Sequence, residues 1–276
     1  MSEKKVTSLV WFRNNLRVID NLSLKKSIEN SDKVIGYVNI DPNINSTTIY
    51  GFKKTEKFRI KFLLESISDL KKQLKKINVS LVVLNEDLKS SINSVIRKYE
   101  IDNIYIQKEW TRDELIEEEC IPSDINLIKD FDQFLFSPSS VSEIYENIPR
   151  GFSNFRKKCE KYLSIDDIIP TPKPLNKNNL IKEEYSIPSI SDLGYEEFEV
   201  HNDSTFKFLG GESHGVNRVN EYFFESKNLS KYKLTQNGLI GKDYSSKISS
   251  WLANGSISVK YVYSQIKIYE DTVEKN

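Results

Sequence analysis

A cluster of hydroxyl side chains is the clearest group of residues that could do chemistry. Tyr244, Ser245 and Ser246 stand between a stretch marked by Gly238 and Gly241 and an apolar segment with the pattern of a helix. The first turn of a helix offers unpaired backbone N–H groups and a partial positive charge, and hydroxyls beside it favour a phosphate or pyrophosphate. The same residue types also cap helices without binding anything. Two interpretations of this cluster stay open, a phosphate site and a plain helix cap.

Other kinds of active site find little support. The 276 residues include two His and two Cys, and Cys120 and Cys159 lie far apart, so we expect no structural zinc site and assign no metal ligands. Two separate thiols are typical of a reducing compartment. The sequence shows no acid–base pair and no nucleophile with a partner, so we name no catalytic residue.

The charge and hydropathy of the chain narrow its partners. Lys and Arg total 40 and Asp and Glu total 40, so no net field attracts nucleic acid or a membrane. Apolar residues make up 38% of the chain and aromatic residues 11%, as in a globular protein. We predict no secretory signal and no transmembrane span. We expect a cytoplasmic protein, or a nuclear or organellar one in a eukaryote.

Residues 1–135 alternate between strand-like and helix-like segments. Apolar runs predict strands at 8–12, 34–40, 80–84 and 101–106, and a fifth beginning at 127. Helical patterns occupy 22–28, 54–77, 92–99 and 109–120. This alternation predicts an α/β domain with a Rossmann-like parallel sheet. The turn at 13–17 has no glycine where a dinucleotide would need close approach, which disfavours a nucleotide-dependent enzyme.

Residues 136–205 form a connector in which the periodicity fades. Its one ordered segment, 151–160, predicts an amphipathic helix that packs Phe152 and Phe155 on the sheet domain. Residues 206–276 have helical patterns again. These helices are predicted at 216–224, 246–253 and 258–269.

The stretch from 207 to 258 resembles the start of the flavin-binding helical domain of the cryptochrome/photolyase family, and most closely its DASH branch. The matching residues are Gly210-Gly211-Glu212, Arg218, Tyr222, Tyr232, Thr235, Asn237-Gly238-Leu239, Gly241, Asp243 to Lys247, Ser249, Trp251 to Ala253, Gly255 and Ser258. The opening LVWFRNNLRVIDN also resembles the start of the family's antenna domain, with Asn15 where Asp is usual. The chain departs from the pattern at Gln236, where the family has Arg, and at Ser250, where it has Pro.

The resemblance implies two cofactor sites. The residues that would hold the phosphates and ribityl chain of FAD are Tyr232, Ser245, Ser246, Lys247, Ile248 and Ser249. An antenna chromophore, commonly a folate such as methenyltetrahydrofolate, would be bound at Glu109. The alternative is that Glu109 only begins a helix, where a carboxylate is electrostatically favourable.

The resemblance also implies an activity. Members of this family use reduced FAD and blue light to transfer an electron to cyclobutane pyrimidine dimers, and the DASH type acts on single-stranded DNA. Such proteins continue beyond the last residue of this chain. We therefore expect an amino-terminal portion that is inactive alone, whether truncated or completed by a second chain. The alternative is a non-enzymatic remnant that serves as a folate-binding or protein-interaction module, so whether the chain is an enzyme stays open. On the first hypothesis the apolar faces of 216–224 and 259–269 would be exposed to a partner.

Overall fold

A parallel sheet of five strands forms the core of the first domain. The computed structural model describes residues 5–273. The strands are β1 (Thr7–Trp11), β2 (Lys33–Asn39), β3 (Ser80–Leu84), β4 (Asn103–Gln107) and β5 (Asn126–Asp130). Their order in the sheet is β3-β2-β1-β4-β5, and every pairing is parallel. The predicted α/β fold with a Rossmann-like sheet is confirmed.

Helices cover both faces of this sheet. They are α1 (Leu22–Glu29), α2 (Lys57–Lys76), α3 (Leu88–Tyr99) and α4 (Arg112–Glu118). The apolar face of α2 buries Ile60, Ile67 and Leu70 completely in the cluster on one side of the sheet. On the other side Ile92 and Val95 of α3 are buried with the opposite face of the strands. The spacing of three and four along α2 therefore predicts the burial of Ile67 and Leu70 correctly, whereas Phe58 at the start of the same predicted face is exposed.

The connector follows the sheet domain closely. It contains α5 (Pro138–Ile144), α6 (Phe152–Tyr162) and a 3-10 turn at Lys177–Asn179. The buried amide of Asn179 accepts a hydrogen bond from the Val34 backbone N–H at 2.8 Å and donates to the Val34 carbonyl at 2.9 Å. A side chain thus pairs with the backbone of β2 and fixes the return path of the connector.

The predicted packing of α6 on the sheet domain is wrong for both of its aromatic residues. Phe152 is 72% exposed. Phe155 is half-buried and stacks on Tyr145 of the connector, with ring centroids 5.7 Å apart. The fully buried residue of the helix is Cys159. The buried face of α6 is therefore centred on Cys159 and does not include Phe152.

The helical segment forms its own apolar cluster. Its helices are α7 (Glu212–Asn220), which continues as one π-helical turn (Glu221–Glu225), α8 (Tyr232–Thr235), α9 (Ser249–Ala253) and α10 (Val259–Thr272). Val219, Phe223, Trp251 and Tyr269 are buried together. The prediction that the faces of 216–224 and 259–269 would be exposed is wrong, because they pack together around Trp251. The most exposed apolar residues of the segment are Leu234, Leu239 and Ile240, and Ile268 of α10 is also exposed.

The loop after β1 joins the sheet domain to the helical segment. Arg17 donates to the Gly255 carbonyl at 3.1 Å and forms a buried ion pair with Asp132 at 2.9 Å. Glu212, the first residue of α7, accepts hydrogen bonds from the backbone N–H groups of Val18 and Ile19 at 3.0 and 2.7 Å. Buried charges are expensive unless paired and hydrogen-bonded. These directional bonds therefore fix the position of the helical segment relative to the loop after β1.

No helix among residues 5–273 is long and apolar enough to cross a membrane.

Candidate cofactor sites

The run from Ser245 to Ser249 lies mostly in an irregular loop. The helix predicted from residue 246 is wrong at its start, because α9 begins at Ser249 and has five residues. Lys247 has a φ of +61°, a left-handed conformation that a right-handed helix does not contain. Ile248 packs on the apolar cluster around Trp251 and anchors the end of the loop.

This loop carries many hydrogen-bond donors without protein acceptors. In the described part of the chain, no backbone N–H from Leu239 to Trp251 donates to a protein group. The hydroxyls of Ser245, Ser246 and Ser249 make no hydrogen bond to residues 5–273 either. Unpaired N–H groups and hydroxyls are the kinds of donor that phosphate oxygens require. The residues present therefore fit a diphosphate, and the fit comes from the loop and not from a helix N-terminus.

A cation and a phenol stand at the same loop. The Lys247 ammonium lies 3.4 Å from the centre of the Tyr244 ring. A hydrogen bond from this lysine lowers the pKa of Tyr244. Tyr232 opens α8 and is 39% exposed, and within the described residues no hydrogen bond joins its side chain to the run 245–249. The structure thus brings Ser245 to Ser249 into one segment and leaves Tyr232 on a neighbouring helix.

A buried arginine beneath the loop determines its course. The Arg218 side chain is 1% exposed, and its guanidinium donates to the carbonyls of Ser246, Lys242 and Ser245 at 2.9, 2.8 and 3.2 Å. Two carboxylates, of Glu221 and Asp243, accept its remaining bonds at 3.0 and 3.2 Å. The rings of Phe208 and Tyr222 pack on the guanidinium, with centroids 4.8 and 5.1 Å from its central carbon.

Glu109, the predicted antenna residue, lies past the end of β4. Helix α4 begins at Arg112, so Glu109 does not begin it and the helix-start alternative is wrong. One carboxylate oxygen accepts from the amide of Gln107 at 2.9 Å, and the other has only a 3.5 Å contact with Gln133. Beside it Trp110 stacks on Phe131, with ring centroids 5.1 Å apart and planes 13° apart. A carboxylate with only one short hydrogen bond therefore adjoins a flat aromatic surface.

A large cavity opens at the carboxyl ends of β1 and β2, where parallel sheets bind ligands. Its volume is ≈ 1280 Å³, larger than the usual 300–1,000 Å³ of a ligand pocket. The aromatic side chains of Phe12, Phe62 and Phe208 line it, with Arg13 and Arg59 among the polar groups. Glu109 does not line this cavity. Ser250, Ala253 and Asn254 of the helical segment also line the cavity, so it lies between that segment and the sheet domain and is separate from Glu109.

Sequence reasoning missed the cavity and the role of Arg218. The cavity is built from strand ends, α2, residues 114–120, residues 198–209 and residues 250–254, which are distant in sequence. A signal for Arg218 exists in the sequence, because it stands three residues after Gly215 and four before Tyr222 on an otherwise apolar helix face. A charged residue at a buried helix position must find several partners.

The comparisons with known proteins agree on one family. The sequence model of the DNA photolyase family matches residues 8–175. The chain is 34% identical over its whole length to cryptochrome DASH of Gloeobacter violaceus, of which it spans 56%. The crystal structure of a Synechocystis cryptochrome aligns with a TM-score of 0.90 at 30% identity, covering 100% of this chain and 58% of that one. An archaeal photolyase from Sulfolobus tokodaii, described with two FAD molecules, shares the fold with a TM-score of 0.71 at 19% identity, over 97% of this chain and 56% of that one. The chain thus spans about half the length of these relatives.

Proposed function

The chain belongs to the DNA photolyase family, and from this premise we propose that it provides the antenna domain and the phosphate-binding part of a flavin site in a DASH-type blue-light protein. The loop of unpaired donors at 239–251 carries the proposal, because it lies at the positions that resemble the FAD motif. The chemistry that FAD supplies when bound is light-driven electron transfer, here toward cyclobutane pyrimidine dimers in single-stranded DNA.

The residues of the loop have separate roles in this proposal. Backbone N–H groups and the hydroxyls of Ser245 and Ser246 bind the phosphates, and Lys247 adds a positive charge beside them. Ile248 holds the loop on the apolar cluster, and Ser249 closes the site at the start of α9. Since Tyr232 is partly exposed on α8, its hydroxyl is available to the ribityl chain.

For the antenna we propose a folate at Glu109. A pterin ring presents neighbouring N–H and amino donors that match a carboxylate, and its flat face suits the stacked Trp110 and Phe131. The cavity at the ends of β1 and β2 supports a second candidate, a flavin chromophore between the sheet domain and the helical segment. Binding of either chromophore without FAD in the helical segment would correspond to the alternative function, a chromophore-binding module without enzymatic activity.

Repair activity needs more than this polypeptide in our proposal. Leu234, Leu239 and Ile240 are 88%, 83% and 92% exposed next to the donor-rich loop, so this side of the site is open to solvent. An isoalloxazine ring needs an apolar enclosure to bind tightly. We propose that a further polypeptide segment, in the same or a second chain, covers these side chains, and that the 276-residue chain alone does not reverse pyrimidine dimers.

The flavin proposal is tested by absorption spectroscopy and calorimetric titration of the purified chain with FAD. We expect a flavin band near one equivalent per chain at saturation. The double variant Ser245→Ala, Ser246→Ala removes two hydroxyls that make no hydrogen bond to residues 5–273, so it should leave folding unchanged and weaken FAD binding by about tenfold or more. The matched control is Ser139→Ala, Ser142→Ala on α5, which should bind FAD as the wild type does.

The outcomes separate the hypotheses. No FAD binding by the wild type at saturating concentration would contradict the flavin proposal. A near-ultraviolet folate band that persists without flavin, and that disappears in Glu109→Gln, would support the chromophore-module alternative. A folate band unchanged in Glu109→Gln would show that the antenna binds elsewhere, with the large cavity as the next site to test.

A further inference from the structure

We propose that Arg218 is a positioning residue that turns the backbone N–H groups of the 242–247 loop outward, toward a diphosphate, without touching the ligand. This inference rests on the flavin site proposed above and assigns a role to a side chain that lies beneath that site. The contacts of its guanidinium with the loop carry the argument.

The geometry of the peptide bond gives the orientation of each N–H group. All peptide bonds among residues 5–273 are trans, so the carbonyl of one residue and the N–H of the next point in opposite directions. The carbonyls of Lys242, Ser245 and Ser246 point at the guanidinium. The N–H groups of the residues that follow them, at 243, 246 and 247, must therefore point away from Arg218. None of these three N–H groups has a protein acceptor in the described part of the chain.

The backbone changes hand just beyond these peptides, at Lys247 and Ile248. Lys247 is left-handed, with a φ of +61°, and Ile248 is right-handed, with φ −77° and ψ −7°. Successive residues of opposite hand form a concave nest of N–H groups that binds anions. A left-handed lysine is unfavourable in isolation. Arg218 donates hydrogen bonds to the carbonyls of Ser245 and Ser246, the two residues before Lys247, and these bonds supply a physical reason for the left-handed conformation.

Arg218 itself is not available as a ligand. Its donors are all directed at protein acceptors, its side chain is 1% exposed, and the carboxylates of Glu221 and Asp243 balance its charge. Lysine cannot replace it, because an ammonium has three donors at one point and the guanidinium spans five acceptors. The effect of Arg218 on anion binding should therefore depend on its fork of donors and not on its charge.

The test uses the 276-residue chain and two probes, FAD and ADP, measured by calorimetry. Arg218→Lys keeps the charge, and Arg218→Met removes it. The matched control is Lys242→Met, which removes a charge from the same loop but leaves the carbonyl contacts of Arg218 in place. We expect both Arg218 variants to bind FAD and ADP about tenfold or more weakly, and the control to stay within about threefold of the wild type. Wild-type affinity in a folded Arg218→Lys would overturn the inference.

A second measurement tests the wild type directly and does not depend on the folding of variants. In a ¹⁵N-labelled sample, ADP should shift the amide resonances of Asp243, Ser246 and Lys247 more than those elsewhere in the helical segment. ADP binding that leaves these three amides unmoved would overturn the inference. Shifts at these amides without FAD binding would contradict the flavin proposal alone, whereas absence of both ADP and FAD binding would contradict both.

Discussion

The carboxyl group of Glu212 should make stability depend on pH in a way that one substitution removes. The residue is 4% exposed and accepts hydrogen bonds from Val18 and Ile19, but burial outweighs those bonds and raises the pKa of Glu212 from 4.5 to about 7. A pKa that is higher in the folded state means that folding takes up a proton between these two values. The contribution of this group is therefore complete below pH 4.5 and is lost as the pH rises through 7. The difference between these two pKa values corresponds to about 3 kcal/mol of unfolding free energy.

The assay is urea unfolding of the wild type and of Glu212→Gln between pH 4.5 and 8. We expect the unfolding free energy of the wild type, relative to that of the variant, to fall by about 3 kcal/mol over this range. Burial also raises the pKa of Asp132, to about 6, but this group is common to both proteins and its contribution cancels in the difference. Glu146→Gln, at an exposed carboxylate, is the control and should keep the wild-type profile. Parallel profiles for the wild type and Glu212→Gln would show that the carboxylate stays ionised and would refute the reasoning.

Three further predictions concern the joint and the connector. Gly255→Ala should lower the unfolding free energy by more than about 2 kcal/mol, because the added Cβ would lie 1.9 Å from a carbonyl oxygen of the loop after β1. Gly241 also has a positive φ but lies in open space, so Gly241→Ala should cost about 1 kcal/mol. Urea unfolding midpoints compare the two variants. Arg17→Met should destabilise by about 3–5 kcal/mol in the same assay, since it leaves Asp132 buried without its ion-pair partner, and a loss below about 1 kcal/mol would contradict this. Phe152→Ser should shift the melting temperature very little, with an effect below about 0.5 kcal/mol, because the ring is mostly exposed.

The sheet could be predicted closely because its strands are short apolar runs separated by helical patterns. Each predicted strand begins within two residues of its place in the structure, and the face of α2 follows from the spacing of its apolar residues. The start of α9 could not be predicted in this way. Its limit is set by the left-handed Lys247, whose conformation depends on contacts from Arg218, a residue 29 positions earlier. Local propensity has no access to such tertiary contacts.

The prediction of which face α6 buries was wrong for a related reason. Its sequence offers two aromatic residues and a cysteine, and the large apolar area of an aromatic ring favours burying the aromatic pair. In the structure Cys159 is the residue that the helix buries, while Phe155 finds its neighbour Tyr145 within the connector. The partner of an amphipathic helix decides which part of its apolar side is covered, and here that partner includes the connector itself.

One face of α7 links the two features on which the proposed function depends. Glu212 at its first turn binds the loop after β1, and Arg218 six residues later binds the loop at 242–246. Between them Gly215 lies against Trp251, so closely that an added Cβ would come within 3.0 Å of the indole. Residues three apart share one side of a helix, and the two contacts are separated by about 9 Å along the axis. The sheet domain and the donor-rich loop are therefore held by a single rigid element. Excitation transfer from an antenna in the first to a flavin at the second would require such a fixed distance and orientation.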